Sequence, residues 1–335
     1  MRALVYLGPR RMDLQELPDP EPGPGEVVIR TQAAAICGSD LHGFREASPR
    51  RVPPLVMGHE AVGTVDAVGP GVDASRIGER VVLKPILGCG TCPMCAAGSI
   101  NLCREGRLVG RDLPGAFAER FVVPSGAAVP LPEGLPDDVA VMAEPLANAV
   151  HVASKAVGEG ASVFVIGAGP IGASMVAAAP LLGARRVWVT DVDRGRLEFA
   201  RRQGGEVLGA DSAVDEILAA TDGWGVDVVI DAVGLESTWR SALEAVSPGG
   251  TIVEVGLGAP VGSLDYFRVL NKEAVIRGSY GWKEREFRVA LDWLAMGTVD
   301  VDGWITRAPL ADGQRAFEEL VDGDGSRFKV VLGFG

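Results

Sequence analysis

The 24 residues from Ala161 to Ala184 carry no charged side chain, and how they are read decides the architecture of the chain. The run is long enough to cross a bilayer. It also holds four glycines and two prolines, and its opening Ser162-Val-Phe-Val-Ile166 stops at Gly167. A strand, a glycine turn and a buried helix account for that pattern better than a membrane span does. The chain beyond Glu159 continues in the same manner. Strands are expected at 162–166, 187–191, 226–231 and 251–255, with helical periodicity at 172–182, 194–203, 213–220 and 237–246 between them. Such alternation predicts a parallel sheet covered by helices. A strand at 274–277, a helix at 284–296 and a last strand at 328–332 are expected after it.

The turn itself reads Gly167-Ala-Gly169-Pro170-Ile171-Gly172, and Asp191 follows 19 residues after Gly172 (191 − 172) at the end of the next strand. In that setting G-x-G-x-x-G is the fingerprint of a dinucleotide site. Gly167 permits the tight turn, Gly169 admits the pyrophosphate close to the backbone, and Gly172 lets helix and strand approach. Pro170 and Ile171 open a helix whose N-terminal N–H groups point at the phosphates. Asp191 is suited to the adenosine ribose hydroxyls and would repel a 2′-phosphate, which favours NAD over NADP. Arg194 and Arg196 stand close enough to hold such a phosphate instead. Ligands gather at the carboxyl ends of parallel strands, so Val233-Gly234, Val255-Gly256 and Gly278-Ser279 are candidates for ribose and nicotinamide contacts, with ordinary turn glycines as the alternative.

The first 130 residues are built differently, from short strands at 27–30, 61–68, 80–84 and 116–123 separated by turns such as EPGPGE and GPGVD. A helix-compatible stretch from Pro136 to Val157 follows, interrupted by Pro145. Four of the five cysteines fall within fifteen residues, as Cys89, Cys92, Cys95 and Cys103. Spacing of C-x2-C-x2-C-x7-C lets four thiolates close a tetrahedron round Zn²⁺, leaving no open position; such a site is structural. An iron–sulfur cluster takes similar ligands and is the rival reading. The fifth, Cys37, lies in ICGSDLH, and His59-Glu60 follow 22 residues later (59 − 37). One thiolate, one imidazole and carboxylates make a mixed set of the sort a catalytic zinc uses when it keeps a position for substrate.

Gly58, His59, Glu60, Gly63, Gly69 and Val72 fit GHE-x2-G-x5-G-x2-V. With Cys37, the cysteine knuckle and the glycine turn, all in order along nearly the whole chain, the sequence resembles the zinc-containing medium-chain dehydrogenase/reductase family. The resemblance implies an α/β chain in two domains. Residues 1–148 and 286–335 would form a mostly-β GroES-like catalytic domain, and 149–285 a doubly wound Rossmann domain for NAD. It implies one catalytic and one structural zinc per chain. Cys37 and His59 match catalytic zinc ligands, and Glu60 matches a carboxylate that binds the metal or sits just outside it. Glu144-Pro145 stands where liver-type alcohol dehydrogenases carry a cysteine, which resembles the polyol branch of sorbitol, threonine and galactitol-phosphate dehydrogenases. Glu144 is therefore the fourth candidate, as a ligand or as partner of a zinc-bound water. Ser39 and His42 match the hydroxyl that takes the alcohol proton and the imidazole that passes it outward, and Arg196 is expected along the adenosine.

The implied reaction is hydride transfer between a secondary alcohol of a polyol, sugar or sugar derivative and NAD, reversible as ketone reduction. Threonine or aldose oxidation is the near alternative. A zinc-free quinone or enone reductase and a non-catalytic nucleotide-binding protein are the distant ones. Among Arg45, Arg50 and Arg51, between Cys37 and His59, one is expected to meet a substrate phosphate or carboxylate, unless all three are solvated loop charges. The net charge of −12 (32 − 44) argues against nucleic acid and anionic membranes as partners. The first twenty residues lack an apolar segment of secretory length, so a cytoplasmic protein is expected. By resemblance it would assemble as a homodimer or homotetramer.

Overall fold

A computed structural model describes residues 1–301, 303–323 and 328–334. The chain folds as two units, Met1–Glu144 with Lys283–Gly335, and Pro145–Trp282. Among the described residues no helix is long and apolar enough to cross a membrane.

In the first unit the long strand Glu26–Ala35 is the organising element. It pairs antiparallel with Glu60–Val68, Arg120–Pro124 and the C-terminal strand Lys329–Gly333. Lys329–Gly333 in turn runs parallel to Ile305–Pro309. An N-terminal hairpin, Arg2–Gly8 against Arg11–Glu16, joins Leu55–Val56 in a separate small sheet. Alternation along these strands turns Val27, Ile29, Ala61, Val65, Val81 and Val330 into one apolar core, closed by Phe44, Phe117 and Phe317. Phe317 meets Phe44 and Phe117 with ring centroids 5.1 and 5.9 Å apart.

The second unit carries a six-stranded parallel sheet. Its spatial order, by first residue, is Glu206, Arg186, Ser162, Val226, Val246, Val275. The order reverses at Ser162–Ile166, whose five residues are all buried, so its carboxyl end and that of Val226–Asp231 bracket the crevice where ligands settle in such sheets. Strands Ser162–Ile166 and Val226–Asp231 and helix Ala213–Ala220 have the expected bounds, and other elements here shift by a residue or so; one strand begins five residues early, as Val246–Glu254. The stretch 136–157 breaks where a helix tolerates a break. Helix Asp137–Ala140 ends, Ala143–Ala153 begins, and Pro145 sits in the first turn of the latter, where its missing N–H has no partner to lose.

Candidate functional site

Three strand ends build the mixed-ligand cluster. The strand Glu26–Ala35 runs out into Ile36 and Cys37, and Cys37 caps helix Gly38–Arg45. On one side Glu60 pairs with Ala35 in register, directly after His59. On the other, Lys329 opens the C-terminal strand, held by the Ile36 N–H donating to the Val330 carbonyl at 2.9 Å. Donor atoms of Cys37, His59 and Glu60 all lie within 4.8 Å of one another. These are soft, borderline and hard donors of the kinds zinc accepts. Glu60 Oε1 is buried with no hydrogen-bond partner, so a cation fits the residues present.

Asp40 and Lys329 support the cluster from behind. Asp40 is fully buried; its Oδ1 stands 3.4 Å from His59 Nδ1 and accepts from Arg51 Nη2 at 3.0 Å, while Oδ2 accepts the Cys37 N–H at 3.2 Å. With Nδ1 facing Asp40, Nε2 is the nitrogen left for a metal. Burial would raise the Asp40 pKa, but the His59 charge and hydrogen bond and the Arg51 guanidinium hold it at about 2. Burial opposes charge on His59 as well, yet Asp40 and Cys37 raise the imidazole well above its ordinary range, and a metal bound at Nε2 would have to displace that proton. Lys329, 1% exposed, is ion-paired to Glu60. Burial raises the Glu60 pKa against the pull of Lys329. Lys329 itself stays charged despite its burial because Glu60, Cys37 and Glu144 surround it.

Glu144 is buried in the first turn of its helix and acts electrostatically on both Glu60 and Lys329. It lies outside the tight cluster of three. Ser39 Oγ donates to Cys37 Sγ at 3.4 Å and accepts from Arg51 Nη2 at 3.1 Å. His42 is exposed three residues further along the same helix. Arg51 corrects an expectation: it is buried and committed to Asp40 and Ser39, so Arg45 and Arg50 alone are left as exposed candidates for a substrate anion. Sequence reasoning missed both Asp40 and Lys329. Asp40 sits inside the Cys37–His42 motif and could have been found there. Lys329 had only one signal, a charge heading an apolar strand.

The four knuckle sulfurs also lie within 4.8 Å of one another. Cys89 and Cys95 are 4.0 Å apart and Cys92 and Cys103 3.8 Å, close to the roughly 3.8 Å edge of a tetrahedron with zinc–sulfur bonds of about 2.3 Å. Backbone N–H groups of Cys89, Cys92 and Cys95 donate to Cys103, Cys89 and Cys92 sulfurs at 3.3–3.4 Å. The Thr91 hydroxyl, with the Thr91 and Cys92 N–H groups, draws the Cys89 thiol down to about 6. Against the Gly90 N–H, burial and hydrogen bonding to the other three sulfurs push the Cys95 thiol the other way, up to about 11, so Cys89 is the thiol drawn toward the thiolate form that a metal takes.

In the second unit Gly167 has φ +91°, and a Cβ on Gly172 would lie 1.8 Å from the Gly167 carbonyl oxygen, so only glycine closes this turn. Gly169 caps the helix Pro170–Leu181 with Pro170 and Ile171 in its first turn. Asp191 lies just past its strand. Its carboxylate accepts the Ala168 and Asp193 N–H groups at 2.7 and 2.9 Å and stands 3.8 Å from Arg196 Nη1. Val233-Gly234, Val255-Gly256 and Gly278-Ser279 follow or end the three neighbouring strands. A Cβ on Gly234 would lie 2.5 Å from the Gly256 carbonyl carbon, so these two turns pack backbone on backbone.

A nucleotide-type sheet and a mixed-donor metal cluster in one chain define a metal-dependent oxidoreductase. Residues 23–133 match the alcohol dehydrogenase GroES-like domain and residues 170–296 the zinc-binding dehydrogenase domain. The chain belongs to the zinc-containing medium-chain dehydrogenase family, whose members act on CH–OH groups. It is 37% identical over 343 residues to an L-threonine 3-dehydrogenase of Chelativorans sp., covering 99% of this chain and 98% of that one. Among solved structures, an alcohol dehydrogenase from E. coli complexed with NADH superposes with a TM-score of 0.92 at 31% identity, covering 100% and 99% of the two chains. An L-idonate 5-dehydrogenase from Escherichia coli does so at 0.91 and 28% identity, covering 99% and 98%.

Proposed function

We propose that this chain is a zinc- and NAD-dependent dehydrogenase oxidising a secondary alcohol of a polyol, sugar or sugar derivative, and reducing the ketone in reverse. The observation that carries the reading is the Cys37–His59–Glu60 cluster, with His59 and Glu60 buried and one Glu60 oxygen unpaired. A zinc ion held there would supply Lewis acidity to the alcohol oxygen, and a bound dinucleotide would supply the hydride acceptor.

The chain's own residues do the rest. Asp40 fixes the His59 ring, and Lys329 offsets the Glu60 charge so that the carboxylate remains available as a donor. Glu144 is a fourth ligand or a second-rank carboxylate beside the metal. Ser39 takes the alcohol proton at its hydroxyl, and His42, three residues on and on the same helix face, hands it to solvent. Gly167, Gly169 and Gly172 let the pyrophosphate approach the N–H groups of Pro170–Leu181's first turn (those past Pro170), with Ile171 among them. Asp191 receives the adenosine ribose hydroxyls, with Arg196 alongside, and favours NAD. Val233, Gly234, Val255, Gly256, Gly278 and Ser279 receive the nicotinamide half. The second zinc, at the knuckle, is structural.

L-Threonine is the second reading for the substrate, favoured by the 37% identical relative of that name. We place the protein in the cytoplasm, where its five free cysteines stay reduced, as a homo-oligomer. The test is a panel of polyols, their phosphates, aldoses and L-threonine followed by NADH absorbance, before and after chelation of zinc. Turnover of a polyol that chelation abolishes is expected; a robust rate that survives chelation ends the zinc mechanism, and threonine as the sole substrate selects the second reading.

A further inference from the structure

A pair of carboxyl groups at the carboxyl end of the parallel sheet has no part in the chemistry above. Asp231 and Glu254 close adjacent parallel strands in register, so their side chains leave the same face of the sheet. Asp231 is fully buried. Its Oδ1 accepts the Val233 and Gly234 N–H groups at 2.8 and 2.9 Å, and its Oδ2 accepts the Thr238 hydroxyl at 2.6 Å. An ionised carboxylate offers about four acceptor positions, so one is left. The Glu254 carboxyl faces it, with the Trp239 indole as its other partner, and Glu254 Oε2 is buried without any hydrogen-bond partner.

No cation neutralises the pair among the described residues. On the flanking helix Glu236–Ala245, Glu236 is held by Ser263 and Arg240, and Glu244 by Arg268. Lys272, on the helix packed over Val246–Glu254, donates to the Glu244 and Val246 carbonyls. Arg277 on the neighbouring strand donates to the Lys155 carbonyl, and Asp227, at the other end of its strand, is bound to Ser162. The strand Ser162–Ile166 brings no charge. Two carboxylates so close and so poorly hydrated do not both ionise. Burial, then repulsion from Asp231, pushes Glu254 up to about 8.

We infer that Glu254 is a positioning residue for the dinucleotide: it shares a proton with Asp231 and, through Asp231, braces the Val233–Gly234 turn. The inference rests on the nucleotide reading proposed above. The brace reaches the glycine turn as well, because Val233 Cγ2 occupies the space a Cβ on Gly167 would need, at 2.6 Å. When the shared proton leaves, a second buried negative charge repels Asp231, and the turn it anchors loosens against both Gly167 and Gly256.

NADH binding, followed by fluorescence from pH 6 to 9 on the zinc-loaded enzyme and on E254Q, tests this. The isosteric amide keeps a donor for Asp231 and cannot ionise. The native affinity is expected to fall roughly five- to tenfold as pH rises through 8, while E254Q holds its neutral-pH affinity within about twofold. Equal pH profiles in the two proteins overturn the inference, and absence of NADH binding by either at any pH overturns the nucleotide reading and this one with it. Infrared spectra of the native protein need no variant. A buried carboxylic acid band present at pH 7 and lost through pH 8 supports the shared proton, and its absence at pH 7 refutes it.

Discussion

On the zinc reading proposed above, Cys37 has two tasks, and its replacement separates them. Its sulfur caps the helix Gly38–Arg45 by accepting the Ser39 N–H at 3.5 Å, and it is the soft donor of the metal cluster. A serine hydroxyl caps helices well, so C37S is expected to fold normally while zinc falls from two ions per chain to one and turnover drops more than about 100-fold. Metal analysis and circular dichroism on the same sample check both halves. Asp40 sets a pH limit on the metal-free protein. Its carboxyl is held at about 2, below the ordinary 3.8, so it contributes stability that is present above pH 4 and is lost as pH falls through 2. The difference amounts to about 2 kcal/mol. Denaturant unfolding of chelated protein at pH 5 and pH 2.5 should show that loss, and D40N should flatten it.

At the scale of elements, the knuckle depends on its metal because it has little else. Its helices, the α-helix Pro93–Ala96 and the 3-10 turn Ile100–Leu102, are four and three residues long, far below the length that holds itself together. C92S is expected to lower the melting temperature by roughly 5 °C or more and to remove one zinc, yet to keep turnover at permissive temperature, the reverse of C37S. A thermal scan with parallel activity assays distinguishes them; identical behaviour of the two variants would deny separate metal roles. The knuckle and the glycine turn are legible in the sequence because each is local: spacing over a dozen residues carries the geometry. The N-terminal hairpin Arg2–Gly8 and Arg11–Glu16 and the helix Gly38–Arg45 are not. The hairpin's sequence alternates weakly, and the helix is short, with a cysteine as its cap. Lys329 escapes for another reason: its partner Glu60 is 269 positions away (329 − 60), and only the pairing of strand Lys329–Gly333 with Glu26–Ala35 brings them together.

At the scale of the whole molecule, the parallel sheet ends in Val275–Gly278, an exposed edge strand with Val275 and Ile276 about two-fifths accessible. The nearby helix Tyr266–Lys272 exposes Tyr266, Phe267 and Leu270. Unpaired backbone beside apolar side chains is what a second chain covers. Light scattering is expected to find a dimer or tetramer, and I276K to shift it toward monomer; a monomeric native protein removes the assembly. The unit Met1–Glu144 with Lys283–Gly335 has a different consequence, one of timing. Glu60, His59 and Cys37 leave the ribosome long before Lys329, so a nascent chain carries the three donors before the counter-charge of Glu60 has been synthesised. Secure ion uptake is therefore expected to wait on the strand Lys329–Gly333, and a chain cut short by premature termination would keep its thiol, imidazole and carboxyl donors yet never complete the pocket.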